Sequence, residues 1–303
     1  MELIRRTAAL AQGRTDGELN RSCRAGQLTR IRPGIYASGA GFDALSAHER
    51  HIVQVTAAAH AHGDEAVISH ISAAALHGLP LWNVDLRRVH VTRSTSKGGR
   101  VSARRHLHNA KLADSDVTSI DGVRVTTLQR TVADICRTVP FEEAVVIGDA
   151  ALRADSTIDP AASLARMRNW PGSPAARRVA AFLDGDSESV GESRSRVLLD
   201  RIGLPAPELQ RRVFSGDGIL LGRADFCLPN EGVLGEFDGR LKYGRLLREG
   251  QSAGDAVHAE KRREDALRDA GWEVVRWTWA DLYEPERLRR RFDRAIARGR
   301  PMT

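Results

Sequence analysis

The C-terminal third of the sequence carries its clearest chemistry, in four carboxylates and two lysines. Asp225 and Glu236 stand eleven positions apart, each near the end of a stretch that predicts a β-strand. Strand side chains alternate faces, so Asp238 projects to the same side as Glu236. Acids are depleted in strands because burying charge is costly. Three of them at strand ends call for a counter-charge. A divalent cation supplies one: Mg²⁺ takes oxygen ligands, usually one or two carboxylates with waters and substrate phosphate. Glu192, in the early turns of a predicted helix, can join them. Lys242 and Lys261 could then orient water or offset charge on an attacked phosphate. The alternative is a pair of edge strands whose solvated acids pair with Arg223 and Arg240.

The elements that must position these groups follow from periodicity and turn signals. Glu188 to Asp200 predicts a helix, stopped by Gly203-Leu204-Pro205. Strands are predicted at Glu208 to Phe214, Ile219 to Phe226 and Gly232 to Asp238, the first two separated by Ser215-Gly216-Asp217-Gly218. A helix over Val257 to Ala270, a strand over Trp272 to Thr278 and a basic helix over Pro285 to Arg298 complete the set. The order α-β-β-β-α-β-α predicts a compact three-layer α/β domain over 187–303. Trp277 and Trp279 share one face of a strand and its exit. With Trp272 they are expected in the core, base stacking being the alternative.

The string Arg223-Ala224-Asp225-Phe226, Gly235-Glu236-Phe237-Asp238-Gly239-Arg240, Glu260-Lys261-Arg262-Arg263-Glu264-Asp265-Ala266-Leu267-Arg268-Asp269-Ala270-Gly271-Trp272 and Val275-Arg276-Trp277-Thr278-Trp279 resembles the very-short-patch-repair-endonuclease-like branch of the PD-(D/E)xK nucleases. The resemblance spans about residues 187 to 283. It implies a restriction-endonuclease-like three-layer α/β fold in which acids bind Mg²⁺ or Mn²⁺ and water attacks a DNA phosphodiester. Carried onto this sequence, the catalytic set is Asp225, Glu236, Lys242, Lys261 and Glu192. The metal set is Asp225, Glu236, Asp238 and Glu192, with Arg240 and Arg276 at the DNA. One departure stands out: the family pattern has Lys two places after the second acid, and Asp238 is there instead. A migrated Lys, at 242 or 261, could substitute. Equally, the fold could have lost activity and kept only DNA binding.

The chain is 303 residues long, which suits two or three domains. Its net charge is +7, and only 4 of its 46 basic residues are Lys. The charge is uneven: residues 1–40 hold seven Arg against three acids. There, Glu2 to Leu10 predicts a short helix. Thr15-Asp16-Gly17-Glu18 has capping-box spacing, opening a second helix that carries Arg21 and Arg24. Leu28 to Tyr36, turning at Pro33-Gly34, predicts a β-hairpin. A helix followed by a basic hairpin is the ending of a winged helix-turn-helix. Its helix would enter the major groove, and Arg30 and Arg32 would meet phosphates. The pattern Gly-x-Leu-x-Arg-x-x-Pro-Gly-x-Tyr, from Gly26 to Tyr36, resembles the winged-helix domain of AbiEi-type antitoxins, which implies operon repression by DNA binding.

Residues 41–155 predict an α+β domain. Ser69 to Leu79, with Thr126 to Asp134, looks like the second domain of AbiEi-like proteins, where packing and partner contact are the implied roles. The close pairs His106-x-His108 and His60-x-His62 lack helical i, i+4 spacing, and no Cys or Glu completes a site. They are therefore expected to be ordinary core or surface residues. Residues 156–186, rich in Pro and Gly, predict one or two helices and a domain junction.

No apolar run reaches the roughly 18 residues a membrane helix needs. The start lacks a signal peptide's apolar segment. Cys23, Cys136 and Cys227 are odd in number and far apart, against a disulfide framework or structural zinc. A cytoplasmic location with DNA as partner is expected, and one nuclease site per chain suits a homodimer for double-strand cleavage. Three functions compete: a metal-dependent DNA endonuclease with an N-terminal DNA-binding module; a non-enzymatic AbiEi-type regulator with an inert nuclease fold; and a module that neutralises a toxin from a neighbouring gene.

Overall fold

The computed structural model describes residues 1–62, 66–94, 98–239 and 253–301. The chain is mixed α/β and forms two compact units, Met1–Leu183 and Asp184–Thr303. Among the described residues no helix is long and apolar enough to cross a membrane.

The first unit opens with β1 (Ile4–Arg5), α1 (Arg6–Ala11), α2 (Asp16–Arg24), β2 (Leu28–Arg32) and β3 (Ile35–Ser38). The start is a strand rather than helix from Glu2, because Ile4 and Arg5 pair with Tyr36 and Ile35 of the hairpin. Thr15 and Glu18 make the expected reciprocal cap on α2. One side of this small sheet closes over Ala9, Leu19 and Leu28. The other side buries Ile31 and Ile35 against Ala57 of α4 (Ala47–His62), which follows α3 (Gly39–Asp43). The basic hairpin therefore shares a core with the segment that follows it.

Next come β4 (Val67–Ile68), α5 (His70–Leu76), β5 (Val89–Arg93), β6 (Arg100–Val101), β7 (Arg105–Asn109), β8 (Val117–Ile120) and β9 (Val123–Thr126). They form a six-stranded sheet in the order β6-β7-β5-β4-β9-β8. Valines 89, 91, 123 and 125 bury its face against α4 and α5. Four helices complete the unit: α6 (Leu128–Thr138), α7 (Phe141–Ala154), α8 (Pro160–Arg166) and α9 (Ser173–Phe182). The one or two helices expected in 156–186 are α8 and α9, which belong to the first unit because Leu164, Met167, Ala176 and Val179 are buried, and the boundary between the units, Leu183 to Asp184, falls near the end of that stretch.

A buried ion cluster joins these helices to the sheet. Arg130 is 3% exposed and donates to Asp116 and to Asp134, each at 2.9 Å. Arg137 reaches Asp134, and Arg166 reaches Asp116. Both Arg130 and Arg137 lie over the Trp170 ring. Burial pushes the Asp134 carboxyl up in pKa while Arg130 pulls it back.

The second unit runs α10 (Val190–Arg201), β10 (Glu208–Phe214), β11 (Leu220–Leu228), β12 (Val233–Asp238), α11 (Ala253–Asp269), β13 (Glu273–Thr278) and α12 (Pro285–Ile296). Its sheet has the order β10-β11-β12-β13, antiparallel except for the parallel pair β12–β13. One face packs on α10 and α12 through Leu198, Phe226, Trp277 and Phe292. The other packs on α11 through Ala224, Leu234 and Leu267. Helices therefore cover both faces, in the element order read from the sequence. Trp272 and Trp277 are buried as expected, and Trp277 donates its indole N–H to Ser195. Trp279 is exposed, bonded to the Gly239 carbonyl.

Removing the guanidinium of Arg130 takes the shared buried partner from Asp116 and Asp134 and leaves them Arg166 and Arg137 respectively. Arg130→Met should destabilise the first unit by about 3–5 kcal/mol in a denaturant titration. A loss near zero would show that the cluster is dispensable to the fold.

Candidate active site

The second unit brings Glu192, Asp225 and Glu236 together from three elements. Glu192 sits in the first turn of α10, whose cap is Ser189. The Ser189 hydroxyl accepts from the Glu192 N–H and donates to Glu192 Oε1 at 2.7 Å. Glu192 Oε2 accepts from the Glu188 N–H and from Gln210 Nε2, at 2.8 and 2.9 Å. The helix approaches the sheet closely because residue 191 is glycine: a Cβ there would lie 1.9 Å from the Phe237 ring.

Asp225, on β11, is half-buried and its Oδ2 accepts from the Phe237 N–H at 2.9 Å. Burial pushes its carboxyl up to about 6, opposed by the Phe237 N–H and reinforced by Glu192 and Glu236. Gln210 stands across from it, between the pairs Leu209–Phe226 and Arg211–Ala224. Its backbone is left-handed, with φ 51°. Its Oε1 is buried and has no hydrogen-bond partner. A strained backbone that delivers an orphan acceptor beside two carboxylates makes an oxygen-rich corner. Sequence reasoning missed Gln210, and its neutral side chain in a strand offered no signal.

Glu236 is held differently. Its Oε1 accepts from Arg263 at 2.5 Å and its Oε2 from Arg276 at 2.8 Å. Arg276 also reaches Glu264. The described cations at Glu236 are therefore arginines of α11 and β13. Lys261 is exposed on α11, and Arg276, expected at DNA, is engaged with acids. Asp238 is exposed at the end of β12. Lys242 and Arg240 lie outside the described residues. Arg223 pairs with Glu188, at 2.7 Å, rather than with the strand acids.

Among the described residues no three of these carboxylates converge within 4.8 Å. The donor set still fits a hard divalent cation, which asks for one or two carboxylates and further oxygens. Asp225, Glu192 and the orphan Gln210 Oε1 are the residues that would hold Mg²⁺ or Mn²⁺.

In the first unit, Arg21 and Arg24 are exposed on α2. Arg30 is exposed and lies over the Tyr36 ring, 5.6 Å from its centroid. Arg32 is half-buried, and burial followed by Arg105 and Arg104 lowers its pKa. Arg30, Arg32, Arg87 and Arg104 line a cavity of about 270 Å³. Clustered guanidinium groups in a concave site favour an anion such as phosphate.

The structure also gathers histidines that the sequence reading treated as ordinary. His90, His106 and His108 form a group in which one ring nitrogen from each lies within 4.8 Å of the other two. Burial holds His90 near pKa 3 and His108 near 2. The third member, His90, is sixteen residues before His106, so no short spacing pointed to it. The side chains of His60 and His62 lie outside the described part.

No protein-family model matches the chain. Over 187 residues it is 32% identical to two uncharacterized proteins of Mycobacterium tuberculosis, from strains CDC 1551 / Oshkosh and ATCC 25618 / H37Rv. The match covers 60% of this chain and 65% of each relative, so it spans just under two thirds of their length.

Asp225 binds its proton more tightly folded than unfolded, where an Asp titrates near 3.9. Its favourable contribution is complete below about pH 4 and is lost as pH rises through about 6. Asp225→Asn should therefore raise the melting temperature of the second unit at pH 8 by about 4–8 °C, roughly 1 kcal/mol after solvent screening. At pH 4 the difference should vanish. Equal shifts at both pH values would contradict the strained carboxylate.

Proposed function

We propose that the protein is a Mg²⁺- or Mn²⁺-dependent DNA endonuclease whose first unit binds DNA. The second unit is then a restriction-endonuclease-like domain, and the N-terminal hairpin region a winged helix-turn-helix. The observation that carries the reading is the half-buried Asp225, pushed up to about 6 in pKa beside Glu192 and Glu236. Excess negative charge at strand ends is relieved by a divalent cation, and phosphodiester hydrolysis needs one there. When bound, the cation would polarise the phosphate and lower the pKa of an attacking water. Asp225 and Glu192 would hold it, and Gln210 Nε2 orients Glu192 through its hydrogen bond to Oε2. Asp238 holds the family's lysine position, and Arg263 and Arg276 are the described cations at Glu236. Their guanidinium forks can share Glu236 with a phosphate oxygen as substrate arrives. Exposed Trp279 beside the strand exit offers a face for base stacking. The arginine-lined cavity of the first unit supports phosphate contact. The cytoplasm is the matching compartment.

Purified protein should nick supercoiled DNA with Mg²⁺ or Mn²⁺. Asp225→Asn and Glu192→Gln should each lower the rate at least 100-fold while the fold persists. Absence of cleavage of any DNA form with either metal would remove the enzymatic reading.

A second reading is favoured by Glu236, both of whose oxygens are taken by arginine, and by Asp238 in the lysine position. In it the protein is a non-enzymatic AbiEi-type regulator. It should then retard its own upstream DNA, with binding unaffected by Glu236→Ala. Arg30→Ala and Arg32→Ala should weaken that binding, each reducing the log–log salt slope by about 0.9. An unchanged slope would mean these arginines meet no phosphate.

A further inference from the structure

Three histidines outside the proposed nuclease chemistry converge on the larger sheet of the first unit. β5 and β7 run parallel, with His90 opposite His106 and Thr92 opposite His108. Residues two apart on a strand share a face, so His106 and His108 project together. The register sets His90 beside them. No other group of three His, Cys, Asp or Glu among the described residues brings its ligand atoms within 4.8 Å. His90 Nδ1 and His108 Nε2 are 3.0 Å apart. The rings of His106 and His108 stack with centroids 3.9 Å apart. His70, at the start of α5, stacks on the other face of the group against His108, at 3.6 Å and 12°. Its backbone is left-handed, φ 53°, a conformation unusual for a bulky residue. The fold accepts that cost to place a fourth imidazole there.

We infer that His90, His106 and His108 form a binding site for one divalent transition-metal cation of the Zn²⁺ class, with water as fourth ligand. The inference does not rest on the nuclease reading. Imidazole nitrogen suits Zn, Cu and Ni, whereas Mg²⁺ and Ca²⁺ want oxygen, which the trio lacks. Three protein nitrogens and one open position match a tetrahedral ion. Metal–nitrogen bonds of about 2.0–2.1 Å separate tetrahedral donors by about 3.3–3.4 Å. The His90–His108 pair need open only by a few tenths of an ångström, and His106 turns off its stack to face the ion. Supporting contacts hold the strand in place. The Ser72 hydroxyl accepts from the His90 backbone N–H at 2.8 Å and bonds His51 at 3.1 Å. His51 in turn bonds the Leu86 carbonyl. Arg88 and Arg137 act on the histidines through space and oppose a cation. Three metal–nitrogen bonds outweigh that repulsion.

The test titrates the full chain with Co²⁺, a spectroscopic stand-in for Zn²⁺. One equivalent should bind, with the strong visible ligand-field bands of a tetrahedral nitrogen site. Zn²⁺ should displace it, and excess Mg²⁺ should not. His106→Gln alters the least enclosed ring of the three and should weaken Co²⁺ binding about 100-fold or more, with an unchanged circular dichroism spectrum. A wild-type protein that gives only the weak bands of hydrated Co²⁺ overturns the site. So does a folded His106→Gln, His108→Asn double variant that keeps wild-type affinity.

Discussion

Placing a carboxylate at the end of a buried strand costs free energy, and the second unit is organised around that cost. Asp225 lies on a strand whose neighbours Ala224, Phe226 and Cys227 are all buried. Water cannot solvate it fully, and two further acids stand nearby. The fold offsets part of the cost with the Phe237 N–H, yet the carboxyl still sits well above its ordinary range. Glu236 meets the same problem and has a different answer, two guanidinium groups. One acid is neutralised by protein cations, and the other is left with a deficit of positive charge. That asymmetry gives the corner formed by Asp225, Glu192 and Gln210 its chemical character.

The close approach of α10 follows from the same arrangement. Glycine at 191 admits the Phe237 ring, and the helix start lies against the strand ends. The Ser189 cap then locks Glu192 by satisfying orphan N–H groups of the first helical turn. A local helix-capping device thus doubles as the positioning device for a functional side chain. Gln210 stands opposite Asp225 in the strand register, which sets its side chain on the same face, and its left-handed backbone is a local strain at that position.

The first unit handles buried polarity by pairing. Arg130 neutralises Asp116 and Asp134 and stacks on Trp170, tying α6, α8 and the sheet into one core. His90, His106 and His108 are half-buried and His70 is buried, and partial burial lowers their pKa values, which favours the neutral imidazoles that stack. Two polar solutions, an ion cluster and an imidazole stack, sit within one unit and serve different ends. The ion cluster holds helices in place, and the stack presents nitrogen donors.

Much of the second unit was legible in the sequence, because alternation and turn residues are local signals. The strands bearing Asp225 and Glu236, and the helix bearing Glu192, each read out of one short run of consecutive residues. Capping spacing at Thr15 and the hairpin at Pro33-Gly34 were legible for the same reason. The partners were not. Arg263 and Arg276 reach Glu236 only because α11 returns the chain to a parallel strand beside β12. The residue across from Asp225 is set by strand register, which no spacing within one strand encodes. His90 joins His106 and His108 through a parallel pairing that spans an intervening strand. The sequence by itself determined which residue types sit on which strand face, since a side chain's face follows from a period of two. Only the tertiary structure decided which faces meet, since register and crossover are settled by burial of whole surfaces rather than by neighbours in the chain.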